Sequence, residues 1–429
     1  MPQPVRFTIV ITLLIAPQLS TERLGVPFPF FLALAGIGTL YSLYAMRGMS
    51  YPSPTNPPPQ NKWGLGGVIF TVGSVTYFIS FLLSLILNAF LPGGNPRYSI
   101  SDGLTRIVSL SAISVPFFVI FRRKGLLTDE AVHSLNVAAT LSIVWIAVTT
   151  ILFDRGERIH YGIFNHPNGL GATVIILSVM VCATYRKTPR ILRITSVAAV
   201  ALSYLTLWLT SSRATLLTLL VFVGVWAFLS TRRKHRMVVV FAGTVLGISI
   251  GLTRMPQVRR AWDSVRGMNS DELQTISMLI FNKNLDTGRF GLWSRLIATW
   301  KERPMLGYGP GGSFPNYNPE RLSAHNQYLS VLFDQGIVGL IGFITALLGL
   351  AILLGGTGNR SGRIGIAYLI SLSVHALFEV SILANQIGVS LLFWTTVAVL
   401  MQLSKIPSSP PAWPSFRGVP GESHNISTV

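Results

Sequence analysis

Apolar runs dominate the chain, broken at intervals by short polar segments. A helix needs about 20 apolar residues to cross the hydrocarbon core of a bilayer. Twelve stretches are candidates, at roughly 5–20, 25–45, 65–91, 104–121, 135–152, 169–185, 191–209, 214–230, 237–252, 327–354, 364–381 and 385–403. They predict an all-α polytopic integral membrane protein with about 12 transmembrane helices. The first stretch is short and begins beside Arg6. No small-residue cleavage site follows it, only Glu22 and Arg23, so it reads as a retained span rather than a signal peptide. Residues 253–326 are too long for a simple connection and read as one outer loop containing helices. The predicted organisation is spans one to nine over 1–252, the loop over 253–326, spans ten to twelve over 327–403, and a Pro-rich disordered tail over 404–429.

Composition supports this reading. Half of the residues are hydrophobic (50%) and only 11% are charged, whereas a soluble domain carries about 25% charged residues. Mean hydropathy is +0.53. The single cysteine, Cys182, permits no intrachain disulfide. The net charge of +19 first suggests a nucleic-acid partner, but the placement of the charges argues against it. Alternate connecting segments hold Arg122-Arg123-Lys124, Arg186-Lys187 with Arg190 and Arg193, Arg232-Arg233-Lys234, and Arg360 with Arg363. The positive-inside rule makes this set cytoplasmic, with both termini, and the clusters then face anionic lipid.

Ionisable residues in or beside spans are functional candidates. Arg106, Arg213, Asp334, His375 and Glu379 all fall toward the outer ends of their spans. That one-sided placement suggests a site open to the outside. A transporter or flippase, the alternative from another class, would place polar groups near the midplane.

Several of these residues suit chemistry on phosphates. Ser211-Ser212 before Arg213 reads as a helix N-terminus, which with an adjacent Arg favours an anion. Residues 285–303 read as a helix with Leu292, Leu296 and Trp300 on one face, Arg289 in its first turn and Pro304 ending it. His325-Asn326 opens span ten, where an imidazole can act as general base or hydrogen-bond a phosphate. His375 and Glu379 are four apart, on one face of span eleven, where a mutual hydrogen bond would satisfy both. Gly307-Tyr-Gly-Pro-Gly-Gly312 lacks the Lys-Ser/Thr of a phosphate-binding loop and reads as a flexible turn. There is no metal-ligand spacing and no nucleophile elbow.

Together these residues resemble a known family. His325-Asn326, nine residues, Gly336, two residues, Gly339 is similar to the His-(Asn/Ser/Gln)-x9-Gly-x-x-(Gly/Thr/Tyr) pattern of bacterial O-antigen ligases, and Arg213-Ala-Thr-Leu-Leu217 to their Arg-x3-Leu element. The run from Arg289 through Trp293, Pro304 and Gly307-x-Gly309 to His325 resembles the ligase–polymerase domain of the superfamily. The resemblance implies a metal-independent glycosyltransferase without cofactor in the bacterial inner membrane, its active site facing the periplasm. The implied donor is a polysaccharide on undecaprenyl pyrophosphate, and the implied acceptor a sugar hydroxyl of lipid A–core. Arg213 and Arg289 would bind the pyrophosphate. His325 would activate the acceptor or help hold the phosphates, and direct attack would invert the anomeric centre. Asn326, Asp334, His375 and Glu379 are possible supporting residues. O-antigen polymerases and protein O-oligosaccharyltransferases share the layout and differ in acceptor.

Overall fold

A computed structural model describes residues 64–90, 129–152, 167–209, 212–231, 289–310, 324–383 and 387–404, with a few positions between 103 and 127. The predicted spans 5–20, 25–45 and 237–252, most of 104–121, most of the 253–326 loop and the tail from 405 lie outside them. The described elements are α1 (Leu65–Phe90), α2 (Asp129–Leu152), α3 (Pro167–Thr184), α4 (Arg190–Leu209), α5 (Arg213–Ser230), α6 (Arg289–Trp300), α7 (Gln327–Gly355), α8 (Arg360–His375) and α9 (Ile387–Ser404), with a 3₁₀ turn at Tyr185–Lys187. No strand occurs among the described residues. Four helices, α1, α2, α3 with its 3₁₀ extension, and α7, are long and apolar enough to cross a membrane.

The helices begin where the sequence supplies caps. Ser212 accepts a hydrogen bond from the Thr215 amide at the head of α5, Asn326 from Leu329 at the head of α7, and Asn359 from Gly362 at the head of α8. Between them the helices are almost uniformly apolar, so they need neighbours or lipid on every face. α3 is buried nearly all round and forms the centre. α1 and α7 instead show Val72, Phe78, Ile79, Ile341, Ile344 and Leu348 outward.

α1 and α7 run antiparallel in close contact. A Cβ at Gly73 would meet the backbone of Ala346, one at Gly342 the backbone of Tyr77, and one at Gly349 the backbone of Phe70. Small residues let the two backbones approach, as is common between membrane helices. On the other flank, hydrogen bonds knit α2 to α3 and α4: Asn136 donates to the Thr184 hydroxyl (2.9 Å) and accepts from Ser196 (2.7 Å).

The packing sorts the helix ends. At one end Arg360 donates to the carbonyl of Cys182 (3.4 Å), Arg193 to that of Arg186 (2.9 Å), and Asn359 to that of Ser404 (2.5 Å). This end carries Arg186, Lys187, Arg190, Arg193, Arg360 and Arg363, the described members of the basic clusters. The heads of α3, α5 and α7 and the tail of α8 meet at the other end. An 18-residue helix separates the two by about 27 Å, close to the hydrocarbon thickness.

Span eleven requires a correction. The apolar run 364–381 predicts a helix through Glu379, but α8 ends at His375. The Ala376 amide closes the last turn on Leu372 and Val374, and the chain leaves the helix as a turn over 376–378.

Candidate functional site

His325 stands immediately before the cap of α7. Its φ of +45° is the one positive value among the described non-glycine residues. A side chain in the left-handed region costs about 1–2 kcal/mol, so neighbours must impose it. Trp293 of α6 donates its indole N–H to the Ala324 carbonyl (2.8 Å), and Asn326 caps the helix that follows. Leu292 and Leu296 of α6 bury against Ala324, Phe333 and Tyr308, which docks α6 beside the head of α7. The predicted helix over 285–303 is thus present as Arg289–Trp300, and its apolar stripe is packing surface.

A second strap brings in Glu379. The Gln327 amide donates to the Ala376 carbonyl (2.8 Å), and the Gln327 side-chain oxygen accepts from the amides of Ile382 (3.2 Å) and Leu383 (3.1 Å). The 376–383 segment is therefore held against the head of α7. There Glu379 Oε1 lies 3.4 Å from His325 Nδ1, a long ion-pair contact. The carboxylate is 5% exposed and the imidazole 25%, so the pair opens to the surface through the histidine. Oε1 also accepts from the Val380 amide (3.2 Å). This corrects the expected pairing of Glu379 with His375. Because α8 stops at His375, the four-residue spacing no longer places the two on one helical face. The buried His375 instead has Nδ1 at 3.1 Å from the Ser381 hydroxyl.

The other oxygen of Glu379 leads away from the histidine. Oε2 accepts from the Asn168 amide (2.8 Å), and the Asn168 carbonyl accepts from the Ser212 hydroxyl (2.5 Å). Ser212 is the cap of α5, whose first residue is Arg213. Four elements from distant parts of the chain thus meet through His325, Glu379, Asn168 and Ser212.

Below His325, α7 is broken. Gly336 has φ 67° and ψ −166°, a conformation open essentially to glycine alone. The break exposes backbone groups that an intact helix would pair, and residues 304–309 fill them. Tyr308 and Gly309 amides donate to the carbonyls of Phe333 (2.8 Å) and Asp334 (3.0 Å), and the Ile337 amide donates to the Pro304 carbonyl (2.9 Å). Gly307 and Gly309 both have positive φ. Tyr308 stacks on Phe333 at 4.8 Å between ring centroids, and Arg303 donates to Asn88 of α1 (2.9 Å). The Gly307-Tyr-Gly309 stretch, expected to be a flexible turn, is built into the helix break.

The predicted residues thus divide. His325, Asn326 and Glu379 come together. Arg289 opens α6 with its charge in electrostatic range of His375, as Glu379 is. Arg213 opens α5 beside Ser212, and its side chain lies outside the described set. Asp334 lies about two turns along α7 and lines a cleft with Arg106, Tyr77 and Gln335 that also reaches Gln327 and Leu383 of the strap. Among the described residues no three His, Cys, Asp or Glu side chains group closely enough to hold a metal ion. Sequence reasoning passed over Asn168. The available signal was an amide at the second position of an otherwise apolar, buried helix.

The fold and this cluster define a multi-helix membrane protein with a hydrogen-bonded polar site at one end of its bundle. Residues 197–344, about a third of the chain, match the family described as O-Antigen ligase. That segment holds Arg213, Arg289 and His325 but neither Asn168 nor Glu379. The chain is also similar to an uncharacterized protein of Haemophilus influenzae, with 23% identity over 338 residues, covering 73% of this chain and 76% of the relative.

Proposed function

We propose that the protein is an O-antigen ligase of the bacterial inner membrane. It transfers polysaccharide from undecaprenyl pyrophosphate to a sugar hydroxyl of lipid A–core, at the periplasmic face. The observation that carries the reading is His325, held in a strained backbone position at a helix head with a buried carboxylate at its Nδ1.

A carboxylate at Nδ1 orients an imidazole and stabilises the cation it forms on taking a proton. Nδ1 then carries the hydrogen, and Nε2 offers the lone pair. In the proposed step Nε2 takes the proton of the acceptor hydroxyl as its oxygen attacks the anomeric carbon. The bond from that carbon to the pyrophosphate oxygen breaks, and undecaprenyl pyrophosphate leaves. Arg213 and Arg289 neutralise the charge developing on the leaving group. One direct displacement inverts the anomeric centre. Asn326 serves as the cap of α7, and Glu379 orients His325.

The test is a gel of lipopolysaccharide from cells lacking the gene, complemented with wild-type protein or with His325→Ala. The variant is expected to insert normally yet yield no O-antigen ladder, with long glycan accumulating on its lipid carrier. Core bearing a single repeat would indicate a polymerase instead. An unchanged ladder would overturn the reading.

A further inference from the structure

We propose that Asn168 is a positioning residue for the transfer reaction, joining the two halves of the site through its single amide group. The inference rests on the ligase reading and extends it to a residue outside the 197–344 family segment.

The directions of the hydrogen bonds follow from the chemistry of each group. A carboxylate only accepts, so the atom of Asn168 facing Glu379 must be the NH₂. The opposite face of the amide is then a carbonyl, and Ser212 must donate to it. The Ser212 hydroxyl has one hydrogen, so the Thr215 hydroxyl at 2.8 Å donates to Ser212, as does the Thr215 amide at 3.3 Å. The chain therefore runs in one sense from the head of α5 to Asn168. From the other side, Asn168 and the Val380 amide both donate to Glu379. Those donors hold the carboxylate aimed at His325 Nδ1.

Asn168, Ser212 and Glu379 are 6%, 2% and 4% exposed, so water cannot replace a lost partner. No other side chain of that size does both jobs. Leucine has neither donor nor acceptor. Aspartate keeps the acceptor for Ser212 but sets a second carboxylate against Glu379. The two would then share a proton, and Glu379 would turn from His325. Asn168 thereby couples the orientation of the proposed base to the helix head that carries Arg213.

The experiment uses full-length protein in nanodiscs with a lipid-linked glycan donor and lipid A–core acceptor. It compares wild type, Asn168→Asp, Glu379→Gln and the double variant Asn168→Asp/Glu379→Gln. The double variant exchanges donor and acceptor and restores the hydrogen bond with reversed polarity. Asn168→Asp is expected to lower kcat about 10–100-fold, by analogy with the loss of a hydrogen-bonding partner behind a metal-binding histidine, with KM for both substrates within about 3-fold. The double variant is expected to regain at least about 10-fold of that loss. Full activity in Asn168→Asp would overturn the proposal. So would a loss that merely tracks the folded fraction and is not recovered in the double variant.

A second readout separates this proposal from the ligase reading. The ¹⁵N resonances of His325 report which ring nitrogen carries the hydrogen, whatever the enzyme does. Wild type is expected to show the Nδ1-protonated form and Asn168→Asp a mixture. An unchanged tautomer overturns the positioning role. If wild type transfers no glycan to lipid A–core while the tautomer still responds to position 168, the ligase reading fails and the coupling stands.

Discussion

His325 combines two properties that oppose each other in a stable fold. Its backbone occupies a region that side chains avoid, and its ring sits beside a nearly buried carboxylate. Strain of that kind persists only where surrounding structure imposes it and clusters at functional sites. Glycine suffers no such cost, although its greater freedom in the unfolded chain gives back about 0.5–1 kcal/mol. His325→Gly is therefore expected to be more stable than His325→Ala by about 0.5–1 kcal/mol. Both lose the contact with Glu379, so the difference isolates the backbone. Comparing thermal midpoints of the two variants in detergent checks it, and an alanine variant equal to or more stable than the glycine variant would contradict it. The histidine itself was legible from its position at a helix head. Its partner was not, because the partner comes from a turn that replaces the end of a predicted helix.

At the scale of elements, the break in α7 organises the site end. A continuous helix would need no glycine at 336 and would offer no backbone groups to residues 304–309. A Cβ at Gly336 would collide with the Met305 carbonyl, and its φ and ψ exclude other residues on strain alone. Gly336→Ala is expected to cost about 1–3 kcal/mol and to release the 304–309 segment. Limited proteolysis between Arg303 and Gly309 should become faster than in wild type, and unchanged protection would show that the break tolerates a side chain. The glycine spacing was visible in the sequence, as was the apolar stripe of α6. That Gly307 and Gly309 serve the same break as Gly336 was not visible, because backbone pairing between segments nearly 30 residues apart leaves no periodic pattern.

For the whole molecule, the described basic residues of the 186–193 and 360–363 segments gather at one end of the bundle and His325, Glu379, Asn168 and Ser212 at the other. The positive-inside rule predicts that the basic end faces the cytoplasm and the site end the periplasm. Cysteine labelling tests the orientation in a Cys182→Ser background. Lys301→Cys, exposed at the site end, is expected to react with a membrane-impermeant maleimide once the outer membrane is permeabilised. Arg190→Cys, exposed at the basic end, should react only after the inner membrane is opened. The reverse pattern would place the site in the cytoplasm and remove a periplasmic ligase from consideration.

Hydrophobic runs and charge placement determined the helical membrane class, because bilayer thickness and backbone hydrogen bonding leave an apolar chain few choices. Local spacing likewise determined His325, Asn326, Ser212 and the glycines as positions of interest, since caps and turns are written in neighbouring residues. What meets what was decided only by the tertiary structure. Asn168 and Glu379 are 211 residues apart and share one hydrogen bond. Such a contact depends on the packing of α3, α5, α7 and the turn after α8, and an apolar helix can pack against its neighbours in many registers that its own sequence does not distinguish.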